Sequence, residues 1–218
     1  MKDLKAVIFD IDGTLTPQNS WTAFTRDIGG SVEDHLEIYH SHLNGKIGLD
    51  ESKRQLLAIW QATGRAERSY IEQSFESWPV REEAYTLIKW LQHSGFVVCL
   101  ITGSVGLYAK HMAEKLNVDD YYANAELYFD EKGMLADFHY TADQAEVKLT
   151  QFSEFCRLKR LQPEECVAVG DGNNDIELFR HTQHGILIDQ YESVADELRS
   201  AAWKTIKTLA EVEPLLKS

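Results

Sequence analysis

Short runs of apolar, often β-branched residues recur along the chain at 5–9 (KAVIF), 96–101 (FVVCLI), 166–169 (CVAV) and 185–188 (GILI). Runs of this length and composition predict buried strands, and the first three end in polar or glycine-rich residues. Between them, apolar residues at helical spacing predict helices over 81–93, 105–116 and 145–160. Strand alternating with helix predicts an α/β fold in which a parallel sheet is covered on both faces, with ligands bound beyond the carboxyl ends of the strands. Residues 127–139 (LYFDEKGMLADFH) alternate apolar and polar about a turn at Asp130–Gly133, and predict a β-hairpin of structural role.

The interval 19–79 breaks this alternation, because it holds no convincing strand and several helical patterns. Trp21, Phe24 and Ile28 share one face, as do Leu36, Tyr39 and Leu43, then Leu49, Leu56 and Trp60, then Ile71, Phe75 and Trp78. Four short helices forming a small bundle are expected. Inserted just after the first strand, the bundle should sit over that strand's carboxyl end.

Composition narrows the partners. With 218 residues and 44% hydrophobic content the chain can bury one good core, or one core with a smaller companion. A net charge of -13, from 35 acidic against 22 basic residues, argues against nucleic acid and anionic membrane surfaces, which repel such a protein. A small molecule or another protein is the expected partner. A phosphorylated substrate stays possible, since metal ions, backbone amides and a few basic side chains can reverse the local potential. Cys99, Cys156 and Cys166 are scattered in apolar or helix-like stretches and read as core thiols. With no signal peptide pattern and no apolar run of bilayer length, a soluble cytoplasmic protein is expected.

Three strand ends carry the candidate chemistry. VIFDIDGTLT, residues 7–16, places Asp10 and Asp12 directly after the first strand, with Gly13 and Thr14 turning the chain. Alone, such a pair is as readily a solvated acidic loop as a site. VVCLITGSVG, residues 97–106, releases Thr102, Gly103 and Ser104 just before a helix, where hydroxyls and amides can seat phosphate; Thr102 reads equally as an N-cap. VAVGDGNND, residues 167–175, adds Asp171 and Asp175 with Asn173 and Asn174 between them, hard oxygen ligands of the kind that suit Mg2+. Lys148 begins the intervening helix and has no local feature that separates it from a solvated surface lysine.

As an ordered set, these elements resemble the haloacid dehalogenase superfamily of phosphohydrolases, over essentially the whole chain. The DxDGT signature falls on Asp10–Thr14, the hydroxyl after the second strand on Thr102, the lysine on Lys148, and the GDxxND signature on Gly170–Asp175. The resemblance implies a discontinuous Rossmann-like core at 1–16 and 80–218, with 17–79 as a small all-helical cap similar to that of the phosphoserine phosphatase branch. It implies a Mg2+-dependent phosphomonoester hydrolase acting on a small phosphorylated metabolite. Asp10 would be the nucleophile that forms an aspartyl-phosphate, and Asp12 the general acid/base. The metal would be held by Asp10, the backbone carbonyl of Asp12 and Asp171, with Asp175 in its outer shell. Thr102, Gly103, Lys148 and Asn174 would bind the phosphoryl group.

Substrate choice is expected from the cap. Arg54, in GKIGLDESKRQLL, aligns with the family arginine that reads a substrate carboxylate; a surface helix residue is the alternative. Where those phosphatases carry a glutamate for the substrate ammonium, this chain has Asn19, which brings no charge and puts phosphoserine itself in question. Trp21 either borders the pocket or belongs to the cap core. His40, His42, His181 and His184 read as surface residues. A phosphotransferase with the same intermediate, a receiver-like phosphoacceptor and an inactive scaffold are the competing readings; Asp12 and the helical insertion disfavour the receiver.

Overall fold

The computed structural model describes residues 4–190 and 194–217, so the outer limits expected for the core, residues 1 and 218, lie outside the described residues. The first apolar run is β1 (Ala6–Phe9), after which the chain enters four helices: α1 (Ser20–Asp27), α2 (Val32–Leu43), α3 (Leu49–Ala62) and α4 (Arg68–Phe75). It returns through α5 (Glu82–His93) to β2 (Val97–Val105), α6 (Gly106–Leu116), β3 (Asp120–Phe129) and β4 (Leu135–Tyr140). Then follow α7 (Gln144–Lys159), a 3₁₀ turn at Pro163–Glu165, β5 (Cys166–Gly170), a 3₁₀ turn at Asn173–Asp175, α8 (Ile176–Thr182), β6 (Gly185–Ile188), α9 (Asp196–Ala201), β7 (Lys204–Ile206), a 3₁₀ turn at Leu209–Glu211 and α10 (Val212–Lys217).

Among the described residues the strands form one sheet in the order β4-β3-β2-β1-β5-β6-β7, parallel except for β4. β1 lies between β2 and β5, with Phe9 beside both Leu100 and Val169. Strand order reverses direction at β1, and at such a switch point the loops leaving adjacent strands part and open a crevice. Alternation along β1 supplies both faces: Val7 and Phe9 join the core shared with α5, α6 and the helical insertion, whereas Ala6 and Ile8 join the one built with Phe152, Phe155 and Phe179. The three cysteines are free and buried, as expected of core thiols.

Two expectations are corrected. Strand β2 runs four residues past Ile101, so Thr102–Ser104 are not at a helix N-terminus; α6 begins at Gly106, with Val105 as its N-cap. The cause is pairing with β3, whose first half lies parallel to β2 before its second half turns into the expected hairpin with β4. The register shifts between Thr102 and Val105, a local irregularity that lifts Gly103 and Ser104 out of regular pairing.

In α2, Leu36, Tyr39 and Leu43 face solvent, at 39%, 46% and 61% exposure, while His35 and Ile38 are buried. Hydrogen bonding decides the rotation: Thr25 Oγ1 lies 2.6 Å from His35 Nδ1 and accepts Trp60 Nε1 at 2.8 Å. The remaining faces are buried much as expected, through Phe24, Ile28, Leu56, Trp60, Ile71 and Phe75. Each such side chain contributes roughly 2 kcal/mol through burial. The insertion is also joined to the β3–β4 hairpin, where Arg68 N donates to Gly133 O (2.9 Å) and Leu135 N to Ala66 O (2.8 Å).

Candidate active site

Three loops leaving β1, β2 and β5 converge with the start of α7. Asp10 follows β1 directly; its amide donates to Val169 O at 3.0 Å, and its Oδ1 accepts the Ile11 amide at 2.7 Å. Lys148 is fully buried on α7, with Nζ 3.0 Å from Asp10 Oδ2 and 2.6 Å from Asp175 Oδ1. The other oxygen of Asp175 accepts the amides of Asp171 and Gly172 at 3.2 and 3.1 Å, which ties the β5 loop into a closed turn. Asp171 Oδ1 accepts the Thr14 hydroxyl at 3.1 Å, and its Oδ2 lies so near the β1 loop that a Cβ on Gly13 would be 2.0 Å away. Gly13 also sits at φ 75°, so two constraints demand glycine there.

Burial dominates the electrostatics. It raises Asp10 to about 6; Lys148 opposes the rise and Asp175 adds to it. Asp171 is raised to about 7 by burial and then by the charges of Asp10 and Asp175. For Lys148, burial alone would lower the value, but the adjoining Asp10 and Asp175 charges hold it above the ordinary lysine range. Carboxylates crowded out of water in this way are poised to bind a cation.

The donor set suits a hard divalent ion: oxygens of Asp10, Asp171 and Asp175 lie within 4.8 Å of one another. Asp175 accepts three hydrogen bonds, from Lys148 and two amides, Asp10 meets Lys148 and the Ile11 amide, and Asp171 accepts only the Thr14 hydroxyl among the described residues.

Asp12 is held apart from this cluster. Its Oδ2 accepts Ser20 N at 2.9 Å and Ser20 Oγ at 2.6 Å, and Ser20 Oγ lies 2.5 Å from Ser104 Oγ. Its Oδ1 is buried without a hydrogen-bond partner. Burial raises Asp12 to about 7, with the Ser20 hydrogen bonds pulling the other way. A carboxyl group that titrates near neutrality, with one oxygen unpaired, can both donate and accept a proton.

Thr102 is buried on β2 and accepts the Ser104 amide through Oγ1 at 3.2 Å, while Gly103 O accepts Trp21 Nε1 at 3.3 Å. Trp21 therefore borders the Gly103 turn, and it also packs on Trp60, Phe138 and Tyr140. Asn174 Nδ2 donates to Gln144 Oε1 at 3.1 Å beside Gly103. Asp10, Asp12, Thr102, Gly103, Lys148, Asp171, Asn174 and Asp175 are thus linked across one crevice.

Arg54 and Asn19 are engaged elsewhere. Arg54 is 70% exposed and paired with Glu51 of its own helix at 2.5 Å. It lines a shallow depression of about 220 Å³ together with Asp50, Lys53, Leu57 and Asp137. Asn19 caps α1, accepting the Thr22 amide at 3.1 Å. His40 and His181 are exposed, while His42 and His184 are half-buried.

Sequence reasoning missed four residues. Ser20 fixes Asp12, and Gln144 contacts Asn174. Arg81 donates to Thr14 O and Gly13 O at 3.0 and 3.1 Å, and His35 is buried in the insertion. Only Gln144 carried a usable signal, since it lies one helical turn before Lys148 and so shares its face.

Known proteins are similar to this chain in sequence and in fold. The phosphoserine phosphatase of Methanocaldococcus jannaschii is 26% identical over 180 residues, covering 82% of this chain and 82% of its own. That of Albidiferax ferrireducens is 27% identical over 187 residues, covering 83% of this chain and 76% of its own. A solved structure described as a phospho-aspartyl intermediate analogue of phosphoserine phosphatase superposes with a TM-score of 0.75, at 22% identity, over 98% of this chain and 99% of that one. Residues 4–181, which carry every side chain linked to Asp10 in the crevice, match the haloacid dehalogenase-like hydrolases, and the chain belongs to that family.

Proposed function

We propose that the protein is a Mg2+-dependent phosphatase that cleaves a small phosphorylated metabolite through an aspartyl-phosphate on Asp10. The observation that carries this reading is the placement of Asp10 against a fully buried Lys148, within 4.8 Å of the Asp171 and Asp175 carboxylates. Asp10 and Asp171, with the backbone carbonyl of Asp12, would hold the ion. When bound, Mg2+ supplies the positive charge that lets an anionic carboxylate approach an anionic phosphate.

A carboxylate oxygen of Asp10 attacks phosphorus; the ester P–O bond breaks, and its electron pair leaves on the alcohol oxygen, which takes the proton of Asp12. Asp12, now anionic, removes a proton from water, whose oxygen attacks the acyl phosphate; inorganic phosphate departs and Asp10 is restored. A value near 7 for Asp12 supports both half-reactions. Lys148, Thr102, Gly103 and Asn174 hold the phosphoryl oxygens, and Lys148 offsets charge that builds as phosphorus is attacked. Residues 17–79 act as the cap that excludes water and selects the leaving group.

The test is a panel of phosphomonoesters, phosphoserine among them, assayed for phosphate release with Mg2+ and with chelator. Metal-dependent release that Asp10→Asn loses is expected. Equal release by the variant removes Asp10 as nucleophile, and transfer to added alcohols in place of water would reassign the protein as a phosphotransferase.

A further inference from the structure

Gln144, the first residue of α7, ties together two parts of the crevice that belong to different loops. Its Oε1 accepts Asn174 Nδ2 from the β5 loop at 3.1 Å. The same oxygen presses on the β2 turn, where a Cβ on Gly103 would lie 2.5 Å from it, 3.1 Å from Gln144 Cδ and 3.6 Å from Asn174 Nδ2. The Gln144 carboxamide thus fills the space beside Gly103, and a side chain there would have to displace it.

The backbone that delivers Gln144 is itself fixed. Asn124, 8% exposed on β3, donates to Thr141 O at 2.8 Å and accepts Thr141 N at 3.2 Å, and Asp143 caps α7 by accepting the Glu146 amide at 3.0 Å. Lys148 follows one turn later on the same face, so the helix offers its cation to Asp10 and its first carboxamide to the turn above.

We infer that Gln144 completes the phosphoryl seat: its Oε1 orients the Asn174 carboxamide, and its Nε2 donates to a phosphoryl oxygen. This rests on the phosphatase reading above. A neutral donor fits the position, because the crevice already holds the carboxylates of Asp10, Asp12, Asp171 and Asp175, and among the described residues the ion pair made to them is that of Lys148 with Asp10 and Asp175. A further anion there would repel the substrate.

The deciding variant is Gln144→Glu. It keeps the length of the side chain and an acceptor for Asn174, but replaces the Nε2 donor with negative charge. Calorimetric titration with inorganic phosphate in the presence of Mg2+ should show affinity lowered about a hundredfold, the size expected when a charged partner loses its hydrogen bond and gains repulsion. KM should rise in parallel, and the thermal midpoint should stay unchanged. Gln144→Met, which keeps bulk without any donor, should weaken phosphate about tenfold with kcat within about threefold of wild type. In an Asn174→Ala background the cost of Gln144→Met should shrink, because the two side chains act as a pair.

Wild-type phosphate affinity in Gln144→Glu would overturn the inference while leaving the phosphatase reading intact. So would equal costs of Gln144→Met with and without Asn174. Failure of the wild-type protein both to bind phosphate with Mg2+ and to hydrolyse any phosphomonoester would overturn both.

Discussion

Lys148 and Arg54 are both cations in the first half of a helix, one in the core and one in the insertion, and their surroundings differ sharply. Lys148 has no solvent exposure and two carboxylates from other elements within 3.0 Å. Arg54 is 70% exposed, and the carboxylate it pairs with, Glu51, lies one turn back on its own helix. A charge removed from water is tolerated only where the fold supplies partners, so its position is fixed by the whole core. A surface pair adds little and leaves its members free to exchange partners. Lys148 is therefore held in place by the core, whereas Arg54 can meet another anion only by giving up its contact with Glu51.

Removing the buried cation should have the largest effect. Lys148→Ala leaves Asp10 and Asp175 facing each other without compensation, and should destabilise the metal-free protein by about 3–5 kcal/mol in urea unfolding. Turnover should fall roughly a thousandfold, with Mg2+ restoring part of the stability and little of the rate. Near wild-type turnover would show that Lys148 is a structural counter-ion alone.

Acid should separate the two regions by sign. Burial lowers His35 of the insertion from 6.5 to about 4. Between these values the unfolded chain takes a proton that the folded chain refuses, so this contribution is complete above about 6.5 and is lost as pH falls toward 4, on the order of 3 kcal/mol. Asp10 and Asp171, raised to about 6 and about 7, act the other way in the metal-free protein: their contribution is complete below about 4 and is lost as pH rises through those values. His35→Gln should flatten the acid limb of the stability curve, and saturating Mg2+ should flatten the neutral one. If His35→Gln leaves the acid limb unchanged, the buried imidazole is not its source.

The smallest effect is expected at Arg54. Arg54→Ala should leave the thermal midpoint where it is and raise KM for carboxylated phosphomonoesters by about threefold, with uncharged aryl phosphates unaffected. An equal change in KM for both substrate classes would show that Arg54 reads no carboxylate.

The same contrast explains what could be read from the chain itself. Strand ends bearing Asp10, Thr102 and Asp171 stood out because an apolar run followed by carboxylates or hydroxyls is a local pattern. Lys148 was placed by its family resemblance, since nothing next to it in sequence marks a buried cation. The length of β2 was not legible, because Thr102–Val105 owe their extended form to β3, a partner remote in sequence. Nor was the rotation of α2: Leu36, Tyr39 and Leu43 have the better apolar spacing, but His35 has a hydrogen bond to Thr25, and hydropathy does not record it. Ser20 is an ordinary polar residue until the fold brings Asp12 to it, whereas Gln144 is marked in the sequence only by its place one turn before Lys148.

The two backbone bonds that join Ala66 and Arg68 to the β3–β4 hairpin anchor the insertion in addition to its two chain crossings and the Ser20 and Trp21 contacts with the β2 turn. A lobe hung from two adjacent threads can swing like a door; one pinned also along a far seam can only flex. Any outward movement of the insertion must therefore break the bonds at Gly133 and Leu135 or carry the hairpin with it.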